Sequence, residues 1–347
     1  MKSRILITGG AGFIGINTAA HFIRRGWQVT LLDNLSRKGT DINLKWLSRE
    51  HQKHFSFIKA DVRYDQKVLD REVARHDAVI HLAAQVAVTT SIADPRADFE
   101  INILGTFNVL EAARKAKTPP VVLYSSTNKV YGNLEALKIK EQKKRYELAA
   151  LPNGVPESQQ LDFHSPYGCS KGAADKYVRD YARIYGIPTV VFRQSCIYGQ
   201  NQFGVEDQGW VAWFIIALLS GHPLTLYGNG KQVRELLYIY DLSALYERAI
   251  EKIATVRGEA FNIGGGPGNT RSLLEFFSEM KENHGLKQKL SRAPIRQGDQ
   301  KVFVSDNTKI KKILGWMPKI RVEDGIPALL SWVNENRGTI ASLYLVR

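Results

Sequence analysis

Tyr167 and Lys171 stand four residues apart in the run Ser165-Pro166-Tyr167-Gly168-Cys169-Ser170-Lys171. Pro166 suits the first turn of a helix, and an i, i+4 spacing then puts phenol and ammonium on one face. Such a pair can move a proton, because a cation beside a phenol favours the phenolate, and a phenolate accepts a proton from a hydroxyl. A free tyrosine, with a pKa of about 10, is a poor base at neutral pH, and bringing it to about 7 takes roughly 4 kcal/mol. Two cations in a dry cleft can supply that. Taken alone, the pair also reads as an aromatic on an apolar helix face with a solvated neighbour. The helix continues with Ala174, Tyr177, Val178 and Tyr181, spaced to pack inward.

A second motif decides between the two readings. Thr8-Gly9-Gly10-Ala11-Gly12-Phe13-Ile14-Gly15 follows the apolar run Ile5-Leu6-Ile7 and opens a helical pattern from Gly15 to Arg25. Its glycines allow the tight turn and the close approach of a pyrophosphate to a helix N-terminus. A lone glycine loop is often only a turn. Here the strand–loop–helix order is right, and Asp33 closes the next strand (Val29 to Leu32) about twenty residues beyond Gly12, the pattern of a dinucleotide site. A carboxylate there accepts from the adenosine ribose hydroxyls and repels a 2′-phosphate, so the expected cofactor is NAD, with Arg37 nearby as the opposing charge. Its cationic nicotinamide is the second charge the tyrosine needs. Lys171 can also hold the nicotinamide ribose, and Thr127, at the end of another strand, can orient a substrate hydroxyl and relay its proton.

These residues need strand ends to carry them. Phe55 to Ile58 precedes Asp61, Ala78 to Leu82 precedes Ala83-Ala84, Val121 to Tyr124 precedes Ser125-Ser126-Thr127, and Thr189 to Phe192 adds a further strand. Helical stretches such as Asn102 to Lys115 separate them. The expected fold is α/β, a doubly wound parallel sheet of the Rossmann kind, with ligands beyond the carboxyl ends of the strands. After about residue 194 the rhythm breaks into short runs (Leu224 to Leu226, Leu236 to Tyr240, Ala260 to Ile263) joined by turns. The expected division is 1–193 as cofactor domain, with 241–253 returning to it as a helix, and 194–347 mostly as a smaller, mixed α/β substrate domain.

Composition excludes other classes. The chain has 347 residues, 44% hydrophobic, enough for a full core without staples. Two cysteines, Cys169 and Cys196, cannot make a disulfide framework or a cysteine-based zinc site, and no metal is expected. No apolar run approaches the roughly 20 residues that span a bilayer. The first residues enter a strand rather than an export signal, so the expectation is a cytoplasmic protein without membrane partners. Forty-eight Lys+Arg against 34 Asp+Glu give +14. The basic clusters (Lys143 to Arg145, Lys309 to Lys312) are short and lack interleaved aromatics, which reads as solvated surface rather than a nucleic-acid site.

The glycine loop, the Tyr167/Lys171 pair and the strand end Ser125-Ser126-Thr127-Asn128-Lys129-Val130-Tyr131-Gly132 together resemble the extended short-chain dehydrogenase/reductases, over essentially the whole chain. Within them, the run Leu161 to Asp175, with Pro152-Asn153-Gly154, Glu206 to Trp210 and Gly228 to Arg234, is similar to the CDP-paratose 2-epimerase (CDP-tyvelose epimerase) group. The resemblance implies a catalytic set of Thr127, Tyr167 and Lys171. It implies cofactor contacts at Gly9, Gly12, Phe13, Ile14 and Gly15, at Asp33, Asn34 and Ser36 after the second strand, and at Asp61-Val62 toward the adenine. Leu82-Ala83-Ala84 and Asn102 complete the cofactor wall. For the substrate, a CDP-hexose, it implies Gln208 and Trp210 beside Thr127, with Arg234 and Arg296 on the pyrophosphate. The implied reaction is epimerisation at C2 through a transient 2-keto sugar, in a homo-oligomer (dimer or tetramer) supplying a dideoxy sugar for surface polysaccharide.

Two departures narrow this. Sugar-nucleotide 4,6-dehydratases carry Asp-Glu directly after the Thr127 position, where this chain has Asn128-Lys129, so dehydration is not expected. The stretch of about 40 positions from Thr127 to Tyr167 is long for UDP-galactose 4-epimerases, and the segment around Lys140 to Asn153 is expected to shape the substrate pocket. Rivals are a CDP-glucose 2-epimerase, a UDP-sugar 4-epimerase or a net dehydrogenase, and, from another class, a non-catalytic NAD-sensing or nucleic-acid-binding protein. His81 and His164 read most simply as structural, and Cys169 faces away from the pair it sits between.

Overall fold

The computed structural model describes residues 3–51, 54–296 and 298–344. Seven strands, β1 (Arg4–Thr8), β2 (Gln28–Asp33), β3 (Phe55–Lys59), β4 (Ala78–His81), β5 (Val121–Thr127), β6 (Thr189–Gln194) and β7 (Ala260–Ile263), form one parallel sheet. Their order is β7-β6-β5-β4-β1-β2-β3. Every residue of β4, β6 and β7 is buried, which is why these strands show no alternation of apolar and polar residues. Within β1, Ile5 and Ile7 pack on one face with the helix Phe13–Arg24, while Leu6 packs on the other with the helices Gly105–Lys115 and Ser165–Tyr185. Chain order reverses between β1 and β4, so a crevice opens there beyond the carboxyl ends.

The helix Ile239–Glu251 docks on the first helix, where Glu247 meets His21 at 2.8 Å and Ser243 meets Thr18 at 3.3 Å. The segment 241–253, expected as a helix returning to the first domain, falls in this helix and the start of the next, Ile253–Val256. Ala260 to Ile263, grouped by sequence with the substrate half, instead forms the sheet's edge strand. A four-residue buried run carries no periodicity to say which sheet it joins.

The remaining strands form small sheets around Val233–Tyr238. That strand pairs parallel with Cys196–Tyr198 and Val302–Phe303 and antiparallel with Thr270–Ser272. Beside them Leu224–Tyr227 pairs with Leu290–Ala293. The segment expected to shape the substrate pocket does something else. Its hairpin, Ile139–Glu141 with Tyr146–Leu148, packs Ile139, Tyr146 and Leu148 against Val233, Val302 and Val304. Tyr146 N donates to the Lys231 carbonyl at 2.9 Å and Val155 N to that of Val304 at 2.7 Å. It braces the outside of the small sheet, because its apolar residues match that surface, and it lines neither cleft described below. Among the described residues, no helix is long and apolar enough to cross a membrane, and no cluster of three or more His, Cys, Asp or Glu could hold a metal.

Candidate active site

One cleft runs along the strand ends of β1, β2 and β4, lined by Gly9, Gly12, Phe13, Ile14, Gly15, Asp33, Asn34, Ser36, Asp61, Val62 and Leu82 to Ala84, with Tyr167 and Lys171 at its far end. Three glycines are obligatory here, Gly10 among them because a Cβ on it would lie 2.8 Å from the Ile7 carbonyl oxygen. Gly9 has φ +67°, and a Cβ on it would lie 2.7 Å from the Ala83 nitrogen, while one on Gly15 would run into the Gly9 carbonyl. A Cβ on Gly12 would meet only the Gly9 oxygen, at 3.2 Å, and would otherwise stand in the cleft. That is a backbone cradle for a phosphate at a helix N-terminus.

Asp33 is held by the turn itself: Ala11 N donates to Oδ2 at 3.1 Å and Leu35 N to Oδ1 at 2.8 Å. Burial pushes this carboxyl up, and those backbone donors oppose it. Asn34 donates to Asp61 Oδ2 at 2.8 Å, and Arg63 grips the same carboxylate through both nitrogens. The Arg63 guanidinium thereby pulls the Asp61 carboxyl down to about 2. Asn102 is not on the wall. Fully buried one layer behind, it donates to Ser170 Oγ (3.0 Å) and Asp98 (3.1 Å) and accepts from Gln85 N (2.9 Å), tying the Tyr167 helix to the cleft floor.

Thr127, Tyr167 and Lys171 converge. Ser126 and Thr127 end β5, and Ser126 Oγ donates to Asp175 at 2.9 Å. Arg193 on β6 holds Asp175 bidentately at 2.9 and 3.0 Å, a buried pair that clamps the Ser165–Tyr185 helix to the sheet. The Tyr167 amide donates to Ser91 Oγ at 3.1 Å. The polypeptide by itself sets the electrostatics here. Burial raises the Tyr167 phenol to about 12, against the Thr127 hydroxyl and Arg37, which lower it, while Asp98 adds to the rise. Lys171 donates instead to the Ser125 carbonyl at 2.6 Å and lies 4.3 Å from the centre of the Tyr124 ring, and burial pushes its ammonium down to about 7. The side chains alone therefore do not make a phenolate; desolvation outweighs the charges the polypeptide places near the ring.

A second, larger cleft meets the first at Tyr167. Thr127, Lys129, Ser195, Cys196, Gln208, Trp210, Arg234 and Arg296 are on its wall. Arg234 Nη2 donates to Asp299 at 2.6 Å. Arg296 lies over the Tyr227 ring at 3.7 Å and pairs with Asp207 (3.1 Å) and Glu206 (3.4 Å). Neither arginine is a free surface charge. Gln208 borders both clefts and accepts from Arg37. Sequence reasoning passed over Thr89 and Ser195 here, and both hydroxyls are buried without a hydrogen-bond partner; nothing in their sequence context marks them.

The remaining candidates are structural or peripheral. His81 lies between the Thr8 (2.6 Å) and Thr106 (3.0 Å) hydroxyls, and burial pushes its imidazolium down to about 3. His164 pairs with Asp162 at 3.0 Å. Cys169 is exposed.

A glycine-cradled cleft beyond a doubly wound sheet, joined at a Tyr/Lys helix to a second cleft lined by paired arginines, defines the short-chain dehydrogenase/reductase class of enzyme. Residues 6–329 match the model of the family described as GDP-mannose 4,6 dehydratase. The chain is 47% identical, over 95% of its own length and 99% of the relative's, to the CDP-paratose 2-epimerase of Salmonella typhi. It superposes on the UDP-glucose 4-epimerase of Thermotoga maritima, solved with UDP-glucose, at a TM-score of 0.83 and 30% identity, covering 96% of this chain and 99% of that one. A double mutant of the dTDP-glucose 4,6-dehydratase of Streptomyces venezuelae, solved with NAD bound, gives 0.83 and 29% over 98% and 99%. The chain belongs to this dehydratase family, within the extended short-chain dehydrogenase/reductases, and is an isomerase of the nucleotide-sugar epimerase kind.

Proposed function

We propose that this protein is an NAD-dependent 2-epimerase of a CDP-linked sugar, of the CDP-paratose to CDP-tyvelose type, acting through a transient 2-keto sugar. The observation that carries the reading is the shared wall: Tyr167 borders both clefts, so one phenol reaches a bound dinucleotide and a bound sugar at once. The likeness to a CDP-paratose 2-epimerase over nearly the whole chain supports C2 and the cytidine nucleotide. The glycine cradle and Asp33 fit NAD, and NAD is bound in the solved dehydratase.

Gly9, Gly12 and Gly15 would hold the pyrophosphate, Asp33 the adenosine ribose, and Lys171 the nicotinamide ribose. When bound, NAD accepts a hydride from C2 and returns it to the other face, with no net redox change. Thr127 orients the C2 hydroxyl and relays its proton. Tyr167 takes that proton and gives it back, and a cation beside the buried ring brings its phenol down toward neutrality. Arg234 and Arg296 exchange part of their carboxylate partners for the substrate diphosphate.

In the same reading, 1–193 with the helix Ile239–Glu251 and the strand Ala260–Ile263 serves the cofactor, and the rest serves the nucleotide sugar. The enzyme works in the cytoplasm as a homo-oligomer. Phe107 and Tyr177, edge to face at 6.2 Å on neighbouring helices, leave an exposed aromatic face suited to a second copy.

Substrate deuterated at C2 tests the route. The product should keep its deuterium with no solvent hydrogen at C2. Stripping NAD should abolish turnover, and adding it back should restore it. Wash-out of the label by NAD-free enzyme would instead mean proton abstraction at carbon and would sink the proposal; product changed at C4 would make the enzyme a 4-epimerase.

A further inference from the structure

Lys129 stands apart from the other charges of the substrate cleft. It sits two residues after Thr127, in the short turn Asn128–Tyr131 that the Thr127 hydroxyl caps at 3.2 Å, and it lines the cleft between the catalytic residues and Arg234. Its ammonium donates to the Gly298 carbonyl at 2.9 Å. Among the described residues no carboxylate lies within ion-pair distance of it, whereas Arg234 has Asp299, and Arg296 has Glu206 and Asp207. An ammonium carries three donors, so this one keeps two for the cleft. Burial and the Arg234 charge push it down to about 8, with the Asp299 carboxylate opposing them from beyond ion-pair distance. A half-buried ammonium with no direct ion pair is favoured by an anion that arrives beside it.

We propose that Lys129 is a third substrate cation, one that takes the sugar-proximal phosphate of the nucleotide diphosphate at the catalytic end of the cleft. This rests on the C2 reading. C2 is bonded to C1, and C1 carries the phosphate oxygen, so with C2 at Tyr167 the β-phosphate falls immediately beside Thr127. With C4 at Tyr167 the ring would stand between them. The inner end of the cleft offers one spare positive charge there, and it is a lysine: a compact point charge on a flexible stem, with no fixed fork to align. Such a group can keep hold of a phosphate while the keto sugar turns about the bonds from C1 to phosphorus to present its other face. Arg234 and Arg296, shared between their carboxylates and the ligand, hold the diphosphate farther out.

The test compares ligands with and without that phosphate. CDP and CMP are titrated calorimetrically into the intact, NAD-loaded protein and into Lys129→Met, Lys129→Gln and Lys129→Arg. Lys129→Met and Lys129→Gln should each weaken CDP at least ~10-fold while leaving CMP within about twofold, and Lys129→Arg should restore most of the CDP affinity. Equal weakening of both ligands would assign Lys129 to holding the Gly298 loop, and unchanged CDP affinity would show that it meets no phosphate; either result overturns the proposal. Lys129→Gln can still bond the Gly298 carbonyl, so it serves if Lys129→Met does not fold. The UDP/UMP pair is measured in parallel. If wild type prefers UDP, the cytidine reading fails, while the diphosphate-to-monophosphate ratio still judges Lys129. Product analysis at C2 and C4 judges the C2 reading separately.

Discussion

The two clefts that meet at Tyr167 are built from different materials. The cofactor cleft is mostly backbone: a glycine turn, strand ends, and two carboxylates, Asp61 and Asp33, the latter fixed by amides of its own loops. The substrate cleft is mostly side chain: arginines on a strand and a loop, held by carboxylates from the segment 206–207 and from Asp299. A backbone cradle is rigid and indifferent to the rest of the ligand, so it suits a cofactor common to a family. Long charged side chains held by exchangeable partners can be re-aimed by single substitutions, so the substrate cleft is where relatives acting on different sugar nucleotides can diverge.

The largest effect should fall where the clefts join. Tyr167→Phe removes one hydroxyl and little packing; turnover should drop at least ~100-fold with NAD content and melting temperature near wild type. Near-normal epimerisation would remove Tyr167 from its role.

The contrast itself predicts a double dissociation. Gly15→Ala puts a methyl into the Gly9 carbonyl and should cost tens of fold in NAD affinity while sparing CDP. Arg234→Gln should weaken CDP about tenfold, the loss of one charged hydrogen bond to phosphate, while sparing NAD. Titrations of both ligands into both variants check this, and cross-effects of equal size would mean that the clefts are one cooperative unit.

Asp33→Asn is expected to be gentler. Several-fold weaker NAD binding and a narrowed preference over NADP should follow from loss of the charge that repels a 2′-phosphate. Equal affinity of wild type for both cofactors would show Arg37 compensating for Asp33.

The smallest contrast is in pH. His81, under the cofactor cleft, is held down to about 3 from an ordinary 6.5, so its contribution is complete above pH 6.5 and is lost as the pH falls toward 3. Glu235, in the substrate half, accepts from Ser305 N and Oγ and from Gly266 N, and burial raises it to about 7 from 4.5. Its contribution is complete below pH 4.5 and is lost as the pH rises toward 7. Each slope is at most about 1.4 kcal/mol per pH unit, a few degrees of melting temperature. His81→Asn should flatten the acid side of a melting-temperature profile and Glu235→Gln the neutral side.

What the sequence determined by itself is local. The glycine loop, Asp33 and the i, i+4 pair are each set by spacing along a single strand–turn–helix unit, so their placement on one cleft was legible, as was the parallel sheet that repeated units of this kind require. Tertiary structure decided everything that depends on contact between distant segments. It set Asn102 one layer behind the wall, turned Lys140 to Asn153 into an outer brace, and gave the strand Ala260–Ile263 to the main sheet. It also gave Arg234 and Arg296 their carboxylates and, among the described residues, left Lys129 without an ion-pair partner. It set how far burial raises the Tyr167 phenol, because burial depends on every element that covers the ring, and no spacing in the chain encodes how much water those elements exclude.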